Sequence, residues 1–382
     1  MVAAYIIVAL LLLPIVYSYI GYPLLLLFLP DKKYQDSQNS QDCIKIALVI
    51  PIYNEEKILA QKLESILCSS IDRDSLSIYL LLDACTDDSH SIAIAYQNKG
   101  LPIHIIPFEK RMGKPRLLNY IMHKIDSTVY PITVFSDANV IFFSETLEKL
   151  ISPFSDPNLG LTDSRLVTAI LTNTQESSYL QYESSIKVLE SKKLGYMQGP
   201  FGGCYAIRTS LFCTIPETFL VDDFYIGTSV LLQGYYAVVA ADAKVMEHYS
   251  SDWKSEFVRK RRIAAGNFQN LSCFLPKLYK EKNFSILFCF FSHKVLRWIS
   301  PYLLFTALIL IILLFTYKGI IMPLLCIIFL LGTADIILSR VFSYASIALR
   351  FLYFVWMNMA TALGGWDYIN GITSNIWQRT ER

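Results

Sequence analysis

The chain has 382 residues, of which 53% are hydrophobic and 17% are charged, and its formal net charge is +2. Soluble domains carry about a quarter of their residues as charged side chains, so this composition excludes disorder and argues against an ordinary cytosolic protein. The small net charge and the lack of interleaved arginines and aromatic residues give no support for nucleic-acid binding. We therefore expect a membrane protein with no nucleic-acid partner.

Charged side chains are concentrated in the middle of the chain. Residues 1–30 contain none, and residues 299–338 contain only Lys318 and Asp335. Because about 20 apolar residues suffice to cross a bilayer as a helix, both ends are predicted to hold membrane segments. The predicted divisions are an N-terminal transmembrane anchor, a globular domain, an interfacial helix, C-terminal transmembrane helices and a tail, at residues 1–30, 31–285, 286–298, 299–366 and 367–382.

The first segment is predicted to be an anchor rather than a cleaved signal peptide. No Lys or Arg precedes its apolar core, and it ends in Phe28-Leu29-Pro30 instead of the small residues of a cleavage site. Lys32 and Lys33 follow directly, so the positive-inside rule places the next segment in the cytoplasm.

The C-terminal region holds three further hydrophobic stretches, at residues 299–315, 320–338 and 345–364. Four crossings in all would put the tail outside, whereas the two arginines of the tail favour the inside. The third stretch is therefore interpreted as a span or as a re-entrant or interfacial segment. Residues 288–298 combine aromatic and basic side chains, which suits a helix at the membrane surface or a solvated helix cap equally well.

Strands and helices alternate from Ile44 to Ser136. The strands are predicted from β-branched apolar runs, and the helices from apolar residues that recur on one face, such as Leu59, Leu63 and Ile66. This order predicts an open parallel α/β sheet with helices on both faces. In chain order the predicted elements are the strand Ile44–Ile52, the helix Glu55–Leu67, the strand Ile78–Leu82, a helix from Thr86 to Tyr96, the strand Ile103–Ile106, a helix after Gly113 and the strand Ile132–Ser136.

Acidic loops follow three of these strands, and they contain Glu55, Asp83 and Asp137. Ligands bind outside the carboxyl ends of the strands in such sheets, where carboxylates suit a divalent cation or a hydrogen-bonded base and ribose. One acid alone is more often a helix cap or a turn residue, but the agreement of three loops favours a functional site.

Two common nucleotide signatures and the usual cysteine motifs are missing. No GxGxxG follows the first strand, and Gly113-Lys114 lacks the glycine that a phosphate loop needs five residues earlier, where Phe108 stands. The eight cysteines form no CxxC pair, so the sequence indicates neither a zinc site nor a disulfide framework.

Several motifs occur together between the hydrophobic ends. They are the strand and loop Val49 to Glu56, the loop Asp83 to Asp87, Gly113 to Asn119, Ser136 to Asn139, Gly199 to Arg208 and Asp222-Asp223. In combination they resemble the membrane-bound family 2 glycosyltransferases with a GT-A catalytic domain, a group that includes cellulose, chitin, hyaluronan and poly-N-acetylglucosamine synthases. This resemblance extends from about Tyr22 to Arg382. It implies an α/β fold of GT-A type, with a mixed sheet, helices on both faces and transmembrane helices at both ends.

The resemblance implies a donor pocket at the strand ends. Pro51, Tyr53 and Glu55 match the residues that line the nucleotide pocket in the family. Asp83 matches the residue that hydrogen-bonds the base, and Lys114 the residue that reaches the diphosphate.

A metal site is implied by the same comparison. Asp137 matches the first acid of the DxD motif, which holds Mg²⁺ or Mn²⁺ on the donor diphosphate, and Asn139 stands at its last position. Because an amide can still offer a carbonyl oxygen to a hard cation, we expect Asp137 and Asn139 to act as the metal ligands. His248 is a further candidate ligand, although a lone histidine is more often structural.

Asp222-Asp223 matches the acidic pair at which the family places its catalytic base. Asp223 stands at the position of the base, and Asp222 replaces the more usual Glu. Such a base takes the proton of the acceptor hydroxyl as it attacks the anomeric carbon, and this single displacement inverts the configuration. The alternative is helix capping, which is compatible with catalysis.

Two basic or glycine-rich motifs complete the implied site. Gly202, Gly203 and Cys204 belong to a segment that resembles the acceptor wall of the family, with a plain turn as the alternative. Arg261 and Arg262 lie where processive synthases have QxxRW, and arginines there would neutralise the departing diphosphate. The tryptophan of that motif is replaced by an isoleucine, which argues against processivity, and a basic helix face at the membrane is the alternative.

The sequence therefore predicts an inverting glycosyltransferase at the plasma or inner membrane, with its catalytic domain in the cytoplasm. The donor is expected to be a nucleotide-diphospho-sugar, in the first place a UDP-sugar, and the acceptor lipid-linked or a polysaccharide. The few short-looped spans favour a lipid acceptor or oligomerisation. A nucleotide-binding scaffold subunit of a polysaccharide assembly complex is the alternative. A transporter is disfavoured, because the spans hold just one acid and no inverted repeat.

Overall fold

The structure is a computed structural model that describes residues 2–32, 44–167, 175–247, 253–317, 330–333, 335 and 347–372. The predicted span at 320–338 lies almost entirely outside the described residues, as do Lys33, His248 and the end of the tail. Contacts divide the chain into two compact units. We call residues 26–250, 276–282 and 372–382 the sheet unit, and residues 1–25, 251–275 and 283–371 the helical unit.

One eight-stranded mixed sheet forms the sheet unit. Its strands are β1 (Ile46–Ile52), β2 (Leu76–Asp83), β3 (Ile103–Phe108), β4 (Ile132–Ser136), β5 (Val140–Phe142), β6 (Leu159–Leu166), β7 (Cys204–Arg208) and β8 (Tyr236–Glu247). They lie in the order β3-β2-β1-β4-β7-β6-β8-β5. Neighbours among β1 to β4 are parallel, whereas β7 is antiparallel to both β4 and β6, and β5 is antiparallel to β8.

The predicted α/β class with a mixed sheet is confirmed. The parallel arrangement expected for the strands from Ile44 to Ser136 is confirmed in β1 to β4, and β6 is also parallel to β8. β7 reverses the direction because it leaves the glycine-rich loop at the carboxyl end of β4, where Cys204 pairs with Ser136.

Helices connect the strands and make up both hydrophobic ends. They are α1 (Val2–Val16), α2 (Tyr22–Phe28), α3 (Glu56–Leu67), α4 (Ser89–Asn98), α5 (Lys114–Met122), α6 (Thr146–Ile151), α7 (Gln175–Leu194), α8 (Asp222–Leu232), α9 (Trp253–Lys280), α10 (Phe284–Cys289), α11 (Leu296–Tyr317) and α12 (Ile347–Ile369). From β1 to β4 the elements predicted from the sequence begin and end within about three residues of those observed.

The core of the sheet unit is centred on β1, in which all seven residues are buried. Leu59, Leu63 and Ile66 of α3 belong to the same hydrophobic cluster, as their spacing predicted. Each such side chain contributes about 1.5–3 kcal/mol on burial, so these local contacts hold the first strand–helix pair firmly.

Two helical stretches among the described residues are long and apolar enough to cross a membrane, Val2–Phe28 with 27 residues and Phe284–Thr316 with 33. Each contains a π-helical turn, at Tyr17–Gly21 and at Phe290–Val295. The residues predicted as an interfacial helix, 286–298, lie within the second of these continuous stretches.

The segment after the first stretch is fixed to the end of α7. The backbone N–H of Lys32 donates to the carbonyl of Lys192 at 2.8 Å, and the ammonium of Lys193 donates to the carbonyl of Leu29 at 2.7 Å. The carboxylate of Asp31 forms an ion pair with the ammonium of Lys193 at 2.7 Å. These contacts join residues 160 or more positions apart and attach the start of the sheet unit to the end of α7.

Candidate active site

The loops after β1 and β2 are bound to each other at the carboxyl edge of the sheet. Asn54 adopts a positive φ of 53°, and its side chain accepts a hydrogen bond from the N–H of Thr86 at 2.8 Å. Asp87 accepts from the N–H of Glu56 at 3.0 Å. These hydrogen bonds join the two loops into one wall. The carboxylate of Glu55, which is predicted to line the nucleotide pocket, takes no part in them. The backbone N–H of Glu55 donates to Ser89 at 3.0 Å.

Asp83 lies at the end of β2 and is fully buried. Its carboxylate accepts from the N–H groups of Met112 at 2.6 Å and Gly113 at 3.2 Å, and from the guanidinium of Arg111 at 3.1 Å. The same guanidinium lies over the ring of Tyr53, 3.2 Å from its centre. Arg111 thus contacts both Tyr53 and Asp83, two residues predicted to bind the nucleotide-sugar. No sequence motif marks Arg111 itself. Pro51 is buried in β1.

Lys114 begins α5 and lies between two acids from different elements. Its ammonium is 2.9 Å from the carboxylate of Asp137 and 3.5 Å from that of Asp222. Burial alone would lower the pKa of Lys114, but the two carboxylates outweigh it and raise that pKa above its usual value. The lysine is therefore a fixed cation, with the predicted metal loop on one side and the predicted acidic pair on the other.

Asp223 lies in the first turn of α8, next to Asp222. Burial and the Asp222 carboxylate raise the pKa of Asp223 to about 7, although Lys114 opposes them. Gly202, with φ +83°, lies so close that a Cβ added there would overlap the carboxylate of Asp223. The predicted base and the predicted acceptor wall are therefore adjacent.

A buried ion pair supports the predicted acceptor wall. The ammonium of Lys187 is 2.8 Å from Asp163, which also accepts from the N–H of Phe201 at 2.9 Å. Cys204 is fully buried at the start of β7, so its thiol does not line the surface of the wall. The carbonyl of Gly203 accepts from the N–H of Asp137 at 2.9 Å, which joins the wall to the metal loop.

The residues predicted to bind a metal offer oxygen atoms that suit a hard divalent cation. The Asp137 carboxylate is partly exposed, and only one of its oxygens is bonded to Lys114. The amide nitrogen of the buried Asn139 donates to Glu247 at 2.7 Å, which leaves the amide oxygen available as a ligand. Within the described part of the chain no group of three or more His, Cys, Asp or Glu side chains converges. Two protein oxygens plus substrate phosphates are the usual ligands of Mg²⁺, so the residues fit that type of site.

The two arginines predicted to bind the donor diphosphate lie on α9, in the helical unit. The guanidinium of Arg261 forms a bidentate ion pair with the carboxylate of Asp367 in α12, with N–O distances of 2.5 and 2.6 Å. The diphosphate-binding role of Arg261 and Arg262 stays a prediction. His248, the further candidate ligand, lies outside the described residues.

Comparisons with known proteins identify the family of this chain. The family model described as glycosyl transferase family 2 matches residues 47–213, and that described as glycosyl transferase family group 2 matches residues 163–363, just over half of the chain. The chain therefore belongs to the family 2 glycosyltransferases and is a glycosyltransferase. No curated protein matches it in sequence.

A solved structure shares the fold. The mannosyltransferase PcManGT from Pyrobaculum calidifontis, solved with GDP-Man and Mn²⁺, superposes with a TM-score of 0.69 at 17% identity, over 94% of this chain and 99% of its own. Residues 1–349 of S. aureus TarS give a TM-score of 0.44 at 18% identity, over 59% and 65% of the two chains. The match to the mannosyltransferase confirms the predicted GT-A fold.

Proposed function

We propose that this chain is an inverting transferase that moves a sugar from a nucleotide-diphospho-sugar, in the first place a UDP-sugar, to an acceptor hydroxyl. One observation carries the proposal: the ammonium of Lys114 lies 2.9 Å from Asp137 and 3.5 Å from Asp222, so donor-side and acceptor-side acids share one cation. Such an arrangement suits a reaction in which negative charge develops on a leaving diphosphate.

Asp223 serves as the general base in this reaction. Its carboxylate takes the proton of the acceptor hydroxyl while the hydroxyl oxygen bonds to the anomeric carbon. The bond from that carbon to the diphosphate oxygen breaks on the opposite face, and the diphosphate leaves with the electron pair. A pKa of about 7 suits this role, because a base is most effective when its pKa is near the working pH.

Asp137 and the amide oxygen of Asn139 would hold Mg²⁺ or Mn²⁺, and the cation would supply positive charge to the donor diphosphate when bound. Lys114 adds its own charge on the same side. Tyr53 lines the nucleotide end, where Arg111, which is bonded to the buried Asp83, completes the pocket wall.

The acceptor is lipid-linked or a polysaccharide, and the reaction takes place at the cytoplasmic face of the plasma or inner membrane. The two apolar helical stretches support membrane association by their length and composition. Lys32 and Lys33, directly after the first stretch, favour the cytoplasmic side for the catalytic domain. Assembly into an oligomer is compatible with the small number of spans.

The test is a transfer and hydrolysis assay of the full chain in bilayers, with a panel of UDP- and GDP-sugars and Mn²⁺. GDP-mannose belongs in the panel because the mannosyltransferase that superposes on this chain was solved with it. We expect turnover of one donor class, and a loss of about 100-fold or more in Asp223→Asn. Mass spectrometry of the lipid and polymer products identifies the acceptor and the number of sugars added.

A nucleotide-binding scaffold is the competing function. It predicts nucleotide binding without turnover of any donor, and identical behaviour of the wild type and Asp223→Asn. That result would reject the enzymatic proposal. Asp242→Asn is a suitable control, because Asp242 is an exposed acid on β8 and belongs to none of the loops that form the proposed site.

A further inference from the structure

A fully buried lysine lies beneath the metal loop. Lys62 is on α3 and has no exposed surface. Its ammonium donates to the hydroxyl of Ser136 at 2.8 Å and to the carbonyl of Val140 at 2.5 Å, and it lies 3.2 Å from the centre of the Phe142 ring. Among the described residues, these partners are neutral oxygens and an aromatic ring, with no carboxylate in ion-pair contact.

Such a residue is costly for the fold. An ammonium loses its hydration on burial, and a methionine would fill similar space without that cost. Burial lowers the pKa of Lys62 to about 7, which is the expected effect of this cost. The hydrogen bonds that its amine makes to two oxygens therefore indicate what Lys62 does, because an apolar side chain could not make them.

The two oxygens that Lys62 binds flank the metal loop. Ser136 directly precedes Asp137, and Val140 directly follows Asn139. Lys62 therefore holds both ends of the three-residue loop Asp137-Ala138-Asn139 against α3.

The same contacts extend to the acceptor wall. The Ser136 hydroxyl accepts from Lys62 and can in turn donate to the carbonyl of Gly203 at 3.2 Å. That carbonyl also accepts from the N–H of Asp137 at 2.9 Å. One ammonium thus fixes the loop on which the metal ligands lie and, through Ser136, its distance from the wall.

We propose that Lys62 is a positioning residue that clamps the Asp137–Asn139 loop and so sets the affinity for the cation and the donor diphosphate. This inference rests on the proposed function, since it assigns Lys62 to the same site. Lys62 touches neither reactant, and it acts through the two loop ends.

The test compares Mn²⁺-dependent binding of UDP and of GDP to the full chain by calorimetry, together with the melting temperature. In Lys62→Met we expect the affinity for the nucleotide that the wild type binds to fall about 10-fold to 100-fold, as for other residues that orient metal ligands. Ser136→Ala removes one of the two contacts, so its loss should be smaller. Ile66→Val is the matched control, because Ile66 is buried on the same face of α3 as Lys62 and its apolar side chain makes no hydrogen bond to the ends of the loop.

Unchanged affinity in Lys62→Met would overturn the proposal. A loss of affinity that merely follows the fall in melting temperature, to the same extent as in Ile66→Val, would also overturn it, because it indicates a structural role. If Lys62→Met does not fold, Ser136→Ala decides, and wild-type affinity in that variant rejects the clamp. If the wild type binds neither nucleotide with Mn²⁺, the proposed function fails together with this inference.

Discussion

Acids on the donor side and the acceptor side of the site have different surroundings. On the donor side, Asp83 contacts the guanidinium of Arg111 and Asp137 contacts the ammonium of Lys114. On the acceptor side, Asp223 lies beside a second carboxylate, that of Asp222, and is buried against the glycine wall.

One sheet edge can therefore hold acids for two proposed purposes. A carboxylate that is paired with a cation is held in a fixed position, which suits the proposed binding of a metal or the support of a pocket wall. A neighbouring carboxylate and burial favour the protonated form, which suits a group that must gain a proton near neutral pH.

Removing the donor-side acid should have the largest effect. We expect Asp137→Ala to weaken metal-dependent nucleotide binding by about 100-fold or more, because the metal site loses its carboxylate and Lys114 loses a partner. Calorimetry with Mn²⁺ and UDP or GDP measures this, and Asp242→Asn provides the control. Undiminished binding by Asp137→Ala would refute its role as a ligand.

Adding a side chain at Gly202 should have the second-largest effect, a loss of turnover. In Gly202→Ala the new methyl group would overlap the Asp223 carboxylate, so we expect kcat to fall about 10-fold to 100-fold while donor affinity is kept. Gly234→Ala is a matched control, since Gly234 has a similar φ of +85° but nothing within 4 Å of the added Cβ. Equal kcat losses in the two variants would assign the effect to backbone strain instead.

The pH profile tests the state of the acceptor-side acid. A base with a pKa of about 7 is protonated and inactive at lower pH, so kcat should fall about tenfold per pH unit below that value. Above pH 7 the carboxylate is ionised and kcat should level off. Steady-state rates between pH 5 and 9 at saturating donor provide the measurement, and a flat profile would contradict the assignment of Asp223.

Removing the carboxylate of Asp222 should produce the smallest change. Asp222→Asn removes the like charge beside Asp223, so the acidic limb of the profile should move to lower pH by about one unit. Glu217→Gln, which alters an exposed acid paired with Arg116, should leave the limb in place. If both variants give the wild-type profile, Asp222 does not tune the base.

Much of the donor side could be predicted from sequence because its signals are local. The runs that form β1 to β4 and the acids that follow them lie within single strand–loop–helix units, and the apolar face of α3 was evident from its spacing. The order of β5 to β8 was not predictable in the same way, because those strands pair across long stretches of chain. Asn139 contacts Glu247, which is 108 positions later in the chain, and no local pattern joins them.

Other residues were missed although a signal was present. Lys62 stands three residues after Leu59 and four before Ile66, so it lies on the apolar face of α3, where a charge needs an explanation. Asp163 in β6 is likewise an acid among buried neighbours. Arg111, one residue before Met112-Gly113, gave no such signal, because its role depends on how the loop folds back onto β2.

The distance along the chain between β5 and β8, with which it pairs, also bears on biosynthesis. β5 ends at Phe142, whereas the residues of β8 with which it pairs begin at Val245. At about 5–20 residues per second, a ribosome needs about 5–20 s to make the intervening chain. During that interval the edge of β5 is unpaired and the metal loop lacks the Glu247 contact, so the nascent chain is exposed to misassociation just where the finished enzyme is expected to bind its donor.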